Sequence, residues 1–243
     1  MNFDGLPLYA MVAATLNAEI TNGILLPNDR LPAEDGLIER FGVSRTTVRK
    51  AVESLIARGV VEIRRGKGTF VTQPKLTQDL TTLTGFAEDM LVLGLHPSSR
   101  LLDKRIVPAS SEVARHLNVA LGAHVYRIER VRLADGVPMS FDETYLPLEI
   151  GEKVVSNDLD VMPIFDLLEN KYALPLTDAW YQLEAAIANE HVAQALGIEV
   201  GAPIFLIERT SYSGDQQPVD YEKLYYRGDA IRFSTKLSRR LGS

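Results

Sequence analysis

The 243-residue sequence contains no cysteine. That excludes disulfides, thiolate metal sites and cysteine nucleophiles, and it fits a reducing compartment. Its four histidines, His96, His116, His124 and His191, have no metal-ligand spacing. They read as surface or satisfied residues, and no cofactor or metal is expected. No apolar run approaches the ~18 residues that a membrane span requires. The opening stretch "MNFDGLPLYAMVAATL" has Asp4 and no basic n-region, so it does not read as a signal peptide. The expected location is therefore the cytoplasm, with no membrane partner. At 46% hydrophobic and 24% charged the composition is that of globular protein, and the length suggests two domains of about 75 and about 165 residues.

The net charge of −6 argues mildly against a polyanionic partner, but its distribution matters more. Residues 40–75 hold nine basic and two acidic side chains, a local +7, whereas the rest of the chain beyond residue 75 is acidic. A local patch steers a polyanion even when the distant surface repels it. The bland alternative is a solvated charged face.

The first 75 residues carry helical periodicity. Tyr9, Val12, Ala13, Leu16 and Ile20 make one stripe, ended by Gly23. "LPNDRLP" reads as a loop. A short helix follows with Leu37, Ile38 and Phe41 inward and Gly42 as its stop. Ser44 stands where an N-cap belongs, and Val48, Ala51, Val52, Leu55 and Ile56 form the buried stripe of a third helix. Two helices separated by "GVS" have helix-turn-helix spacing. The third helix turns Arg45, Thr46, Arg49 and Lys50 outward, the residues that a recognition helix presents to base edges. Then "VVEIR" and "TFV" read as strands joined by the glycine-bearing tip "RGKG". A phosphate-cradling loop needs G-x-x-x-x-G-K-[ST] before a helix. Here Lys67 is followed by Gly68 and a strand, so a basic hairpin is the better reading. The tip then projects Arg64, Arg65 and Lys67.

"RLPAEDGLIERFGVSRTTVRKAVESLIARGVVEIRRGKGTFV" resembles the winged helix-turn-helix of the GntR superfamily of bacterial transcription regulators. The resemblance implies contacts to double-stranded DNA from Glu34, Arg45, Thr46, Thr47, Arg49, Arg65, Lys67 and Gly68. One position departs: Asp35 stands where the family usually has an operator-contacting Arg.

Residues 76–83 read as a linker. Beyond it, "VARHLNVALGAHVYRIER" (113–130) aligns with "VAQALGIEVGAPIFLIER" (192–209) at a constant offset of 79. With one residue added, "VPMSFDETY" matches "QPVDYEKLY" as a return strand. Two copies suggest a pseudo-symmetric α+β domain on one antiparallel sheet. This half, residues 84–243, resembles the UTRA effector-binding domain of the HutC subfamily, a fold shared with chorismate lyase. The supporting strings are "LTGFAEDM", "RVRLADGVPMSFDETYLP", "LGIEVGAPIFLIERTSY" and "YYRGDAIRF". The resemblance puts Thr84, Gly85, Phe86, Arg130, Arg132, Asp142, Asp220 and Tyr226 in an effector pocket. Sugar-phosphate-sensing members supply hydroxyls to the phosphate where this chain has Gly85, Ala87, Pro163 and Phe165. A small carboxylate is therefore expected, either amino-acid-like or imidazole-bearing. The bland reading makes Arg130 and Arg132 structural ion-pair partners and Tyr226 plain core.

The expected protein is thus an α+β regulator, a winged helix-turn-helix followed by a UTRA domain. It binds a two-fold operator as a homodimer and is released by a small anionic effector. A chorismate-lyase-like enzyme is the alternative.

Overall fold

The structure is a computed structural model and describes residues 7–72 and 75–237. The chain divides after Pro74 into two compact units.

In the first unit, α1 (Leu8–Thr21), α2 (Glu34–Phe41) and α3 (Arg45–Ala57) precede the hairpin β1 (Val61–Arg64) and β2 (Gly68–Val71). Gly42 ends α2 in the left-handed region at φ 61°, and Ser44 caps α3 by accepting from the Thr47 backbone N–H at 3.2 Å. Together these two residues make the sharp turn between the helices. Val12, Leu16, Leu37, Val48, Ala51, Leu55, Val61 and Val71 form one buried core, so the periodic stripes of the three helices meet as expected. Arg30 and Leu31 run beside β2, with the Leu31 N–H donating to the Thr69 carbonyl at 2.8 Å.

The second unit begins with β3 (Leu76–Asp79), which pairs in parallel with the last strand, β10 (Ile231–Ser234). Residues 76–83, expected as a linker, thus start with a strand that is part of this unit. Leu76 packs in the same apolar cluster as Ile231, which gives the pairing its reason. Next come α4 (Phe86–Val92), β4 (Pro97–Pro108), α5 (Ser111–Leu117), β5 (His124–Ala134), β6 (Val137–Pro147), α6 (Leu148–Val155) and the short α7 (Ile164–Asp166). A π-helical turn over Leu167–Lys171 leads to β7 (Leu176–Ile187), α8 (Glu190–Leu196), β8 (Pro203–Ser213) and β9 (Pro218–Arg227). The main sheet is antiparallel throughout, in the order β4-β5-β6-β9-β8-β7. The two repeats, β4-α5-β5-β6 and β7-α8-β8-β9, are halves related by a pseudo-two-fold between β6 and β9.

One sheet face is covered by α5 and α8, which bury Val113, Leu117, Val192 and Leu196 against Val125, Val131, Phe141 and Tyr221. The other face is covered in two places. Phe86 and Met90 of α4 pack on Ile207, Leu224 and Tyr226. Val154 of α6 and Ile164 of α7 pack with Ile128 and Leu146. Between these two covers the sheet face is open.

Candidate functional site

Strand alternation decides what fills that gap. Directly opposed residues on antiparallel strands share a face. On β5 and β6 the opposed pair is Arg130 and Asp142, and on β8 and β9 it is Arg209 and Glu222. The repeat relates these pairs, because Arg209 follows Arg130 by 79 residues and Glu222 follows Asp142 by 80. Each half therefore contributes one guanidinium and one carboxylate to the same face. Arg132 lies two residues along β5 and adds a third cation.

A cavity of about 170 Å³ opens on this face, lined by Arg130, Arg132, Asp142, Arg209, Glu222 and Tyr226 from the sheet. Gly85 to Glu88 of the α4 segment and Pro163 to Asp166 of the α7 segment complete it. The Arg132 guanidinium sits 5.0 Å over the Phe86 ring, and that of Arg209 sits 4.4 Å over Phe165. Gly85 lies at the junction of the covers, where a Cβ would make ordinary van der Waals contact with Phe165 at 3.5 Å. Tyr226 is the one hydroxyl-bearing side chain among the lining residues, whereas Glu88, Asp142, Asp166 and Glu222 bring four carboxylates.

The three arginines are not equivalent. Arg209 donates to the Tyr181 hydroxyl at 3.0 Å and pairs with Glu222. Burial works against its charge, but Glu222 and Tyr181 outweigh that and hold its pKa well above the usual arginine value. Arg132 lies 3.9 Å from Asp142, too far for a hydrogen bond. Arg130 is buried, and among the described residues its Nε and Nη1 have no hydrogen-bond partner, whereas Arg132 and Arg209 each have one such buried nitrogen, Nε. Burial, then the neighbouring charge of Arg132, pushes its pKa down to about 9. Burial likewise raises the pKa of Asp142, with Arg132 opposing it. Unpartnered donors on a buried cation beside a cavity have the chemistry to take an anion's oxygens.

Two expected residues are placed elsewhere. Thr84 lines a neighbouring cavity of about 280 Å³, under the segment 78–84 and against Tyr181, Arg209 and Tyr226. Its hydroxyl donates to Asp89 at 2.6 Å. Asp220 shares the sheet face but lies two residues before Glu222, outside the first cavity, fully buried, accepting from the Ser211 backbone N–H at 3.2 Å. Conversely, Arg209 and Glu222 were not among the expected site residues. The repeat carried their signal, since each is the counterpart of an expected one.

In the first unit Arg45, Thr46, Arg49, Arg65 and Lys67 are exposed. Thr47 is half-buried, its hydroxyl 2.8 Å from that of the exposed Ser44. Glu34 reaches across from α2 and accepts from Arg49 Nε at 3.0 Å, with Arg45 Nε at 3.3 Å from its other oxygen. Asp35 accepts from Arg45 Nη2 at 2.7 Å. Gly68 closes the hairpin at φ 121°, packed on the Arg30 guanidinium. Arg64 turns back from the tip to Glu62, Asn28 and the face of Phe70.

A helix-turn-helix with a basic hairpin, followed by a duplicated sheet with a charged pocket, finds its match in known proteins. Residues 8–71 fit the bacterial regulatory proteins of the gntR family, and residues 92–232 fit the UTRA domain. The chain belongs to the GntR family. This regulator is 36% identical over 234 residues to the HTH-type transcriptional repressor NagR of Bacillus subtilis, covering 96% of each chain. It is 30% identical to the histidine utilization repressor of Pseudomonas putida, covering 96% of this chain and 93% of that one. The crystal structure of PhnF from Mycobacterium smegmatis superposes with a TM-score of 0.67 at 29% identity, over 94% of this chain and 100% of that one. The GntR chain is thus a ligand-responsive transcription regulator of the HutC type and not an enzyme, which removes the lyase alternative. No helix among the described residues is long and apolar enough to cross a membrane.

Proposed function

We propose that this regulator is a cytoplasmic homodimeric repressor whose operator affinity falls when a small acid enters the cavity between α4 and α7. The observation that carries the reading is Arg130, buried with two idle donor nitrogens on that cavity. The effector's anionic group lies against Arg130 and Arg132. A carboxylate suits the site better than a phosphate. A phosphate has three terminal oxygens and calls for several donors, but Tyr226 is the sole lining hydroxyl. A carboxylate has two oxygens, and one guanidinium satisfies both. Asp142 and Glu222 then accept hydrogens from the other end of the molecule. An amino-acid-like or imidazole-bearing acid meets both demands. The histidine utilization repressor, by its name, controls the use of such a molecule.

On DNA, the N-terminal end of α3 reads base edges through Arg45, Thr46 and Arg49, aided by Glu34, while Arg65, Lys67 and Gly68 of the hairpin approach the backbone or minor groove. The DNA-binding domain ends near residue 75. One such module makes too few contacts for a regulator's affinity, and a two-fold protein mirrors a two-fold operator. A tenfold loss of operator affinity requires the effector to favour the released geometry by about 1.4 kcal/mol.

Calorimetry with amino acids, imidazole-bearing acids and hexosamine phosphates tests the effector class, with native mass spectrometry of fresh protein as a search for a co-purified ligand. Micromolar binding of a carboxylate, abolished by Arg132→Ala, is the expected result. Micromolar binding of a hexosamine phosphate, lost in Arg132→Ala, would overturn the carboxylate reading. Light scattering at micromolar concentration checks the dimer, and a monomer with and without operator refutes it.

A further inference from the structure

We infer that Asp35 is a specificity-determining residue of the DNA interface, reading a G·C base pair jointly with Arg45. The inference rests on α3 being the reading helix. Asp35 is the second residue of α2, and its side chain is 81% exposed. Its Oδ1 nevertheless accepts from Arg45 Nη2 at 2.7 Å, and Arg45 Nε lies 3.3 Å from Glu34 Oε1, an ion pair without a hydrogen bond. The tip of the reading surface is thus a chain of alternating charges, Asp35, Arg45, Glu34 and Arg49, with no net charge.

Two consequences follow for DNA. A phosphate that approaches Arg45 meets the Asp35 carboxylate beside the same guanidinium, so Arg45 is a poor backbone clamp. A base edge is different. In the major groove a G·C pair presents the guanine O6 and N7 acceptors beside the cytosine N4 amino donor. O6 and N4 are hydrogen-bonded to each other, so they stand about 2.9 Å apart. The Nη2–Oδ1 separation of 2.7 Å matches that spacing with the polarity reversed. Arg45 can donate to guanine while Asp35 accepts from the paired cytosine, and neither has to release the other. An ionised carboxylate is acceptor-only. It repels guanine O6 and thymine O4, which disfavours C·G and A·T at this position; T·A gives Asp35 the adenine N6 donor but offers Arg45 only thymine O4 beside the methyl group, in place of the two guanine acceptors.

The test is selection from a randomised duplex pool with the full-length protein and with Asp35→Ala, Asp35→Asn and Arg45→Ala. The wild type is expected to select a motif with one strongly preferred G·C pair per half-site that Arg45→Ala loses. Asp35→Ala should relax that position alone and bind random duplex more tightly, so that the operator-to-random affinity ratio falls about tenfold. Asp35→Asn keeps the shape and removes the charge. Its amide suits adenine N6 and N7, so the preference should move toward A·T. Melting curves verify that each variant is folded, and the exposed position predicts little change. If both Asp35 variants select the wild-type motif, the inference fails, whether or not their affinity rises on all duplexes alike. If Arg45→Ala also keeps the motif, the assignment of the reading helix fails instead.

Discussion

Replacing Arg130 by methionine should make the effector-free protein more stable and leave it unable to respond. The guanidinium is buried, Nε and Nη1 have no hydrogen-bond partner among the described residues, and its pKa is pushed down from 12.5 to about 9. At 1.36 kcal/mol per unit, that depression sets an upper limit of about 5 kcal/mol on the cost of keeping the charge in the fold at neutral pH. That limit is already net of the attraction to Asp142 and Glu222, so the further cost of the substitution falls on those two carboxylates, which lose a cation. Glu222 keeps Arg209, and Asp142, already biased toward its neutral form by burial, can take a proton. Methionine fills much of the same volume without idle donors. The net expectation is a gain of about 2 kcal/mol, or about 2–4 °C of melting temperature per kcal/mol for a domain of this size. Because the two units can unfold separately, the transition is best followed at Trp180. It is the chain's single tryptophan and lies in β7 of the second unit. Effector binding by calorimetry should be lost in the same variant. A destabilisation of about 2 kcal/mol or more would refute the reasoning, because it would show Arg130 to be a structural ion-pair partner whose removal strands a buried carboxylate.

Asp220 has its pKa raised to about 7, first by burial and then by Glu222. The folded state therefore holds that proton more tightly than the unfolded chain. Its contribution to stability is complete below about pH 4 and is lost as pH rises through about 7, a fall of about 4 kcal/mol. Urea unfolding across pH 4–8 should show this decline flattened in Asp220→Asn, and equal slopes would refute it. Gly151→Ala should destabilise the second unit by about 1–3 kcal/mol, since the added Cβ falls within 2.7 Å of Tyr126 Cβ and Cγ. Chemical denaturation measures it. Arg49→Ala should cost about 1–3 kcal/mol on operator and little on random DNA, whereas Lys67→Ala should weaken both and flatten the salt dependence. Salt titrations on the two duplexes separate these outcomes, and equal losses for Arg49→Ala would make it a phosphate contact.

Much of this architecture is legible where local chemistry is strong. The Val48–Ala51–Leu55 stripe, the Ser44 cap and the Gly42 stop define the helix-turn-helix without outside help. The repeat announces the duplicated sheet. The parallel pair of β3 and β10 is not legible, because it joins two four-residue strands from opposite ends of the second unit and has no turn to signal it. Thr84 and Asp220 show a different limit. A strand's period says which face a residue shares, but not where the covering helices leave that face open. Asp220 shares its face with Glu222, yet only Glu222 lines the gap. Arg209 and Glu222 were within reach, since applying the 79- and 80-residue offsets to Arg130 and Asp142 yields both.

The duplication is broken at one level of the sheet. Beyond the matched Arg–carboxylate pairs, Arg132 opposes Ser140 in the first half, and Ser211 opposes Asp220 in the second. Each half thus places one serine and one charged residue at its equivalent position, but with opposite signs. The interior of a nearly symmetric scaffold thereby acquires a built-in electric polarity, positive at the Arg132 end and negative, once ionised, at the Asp220 end. Asp220 lies outside the cavity that Arg132 lines, so the inversion leaves the positive pole open to a molecule in the cavity and keeps the negative one out of its contact.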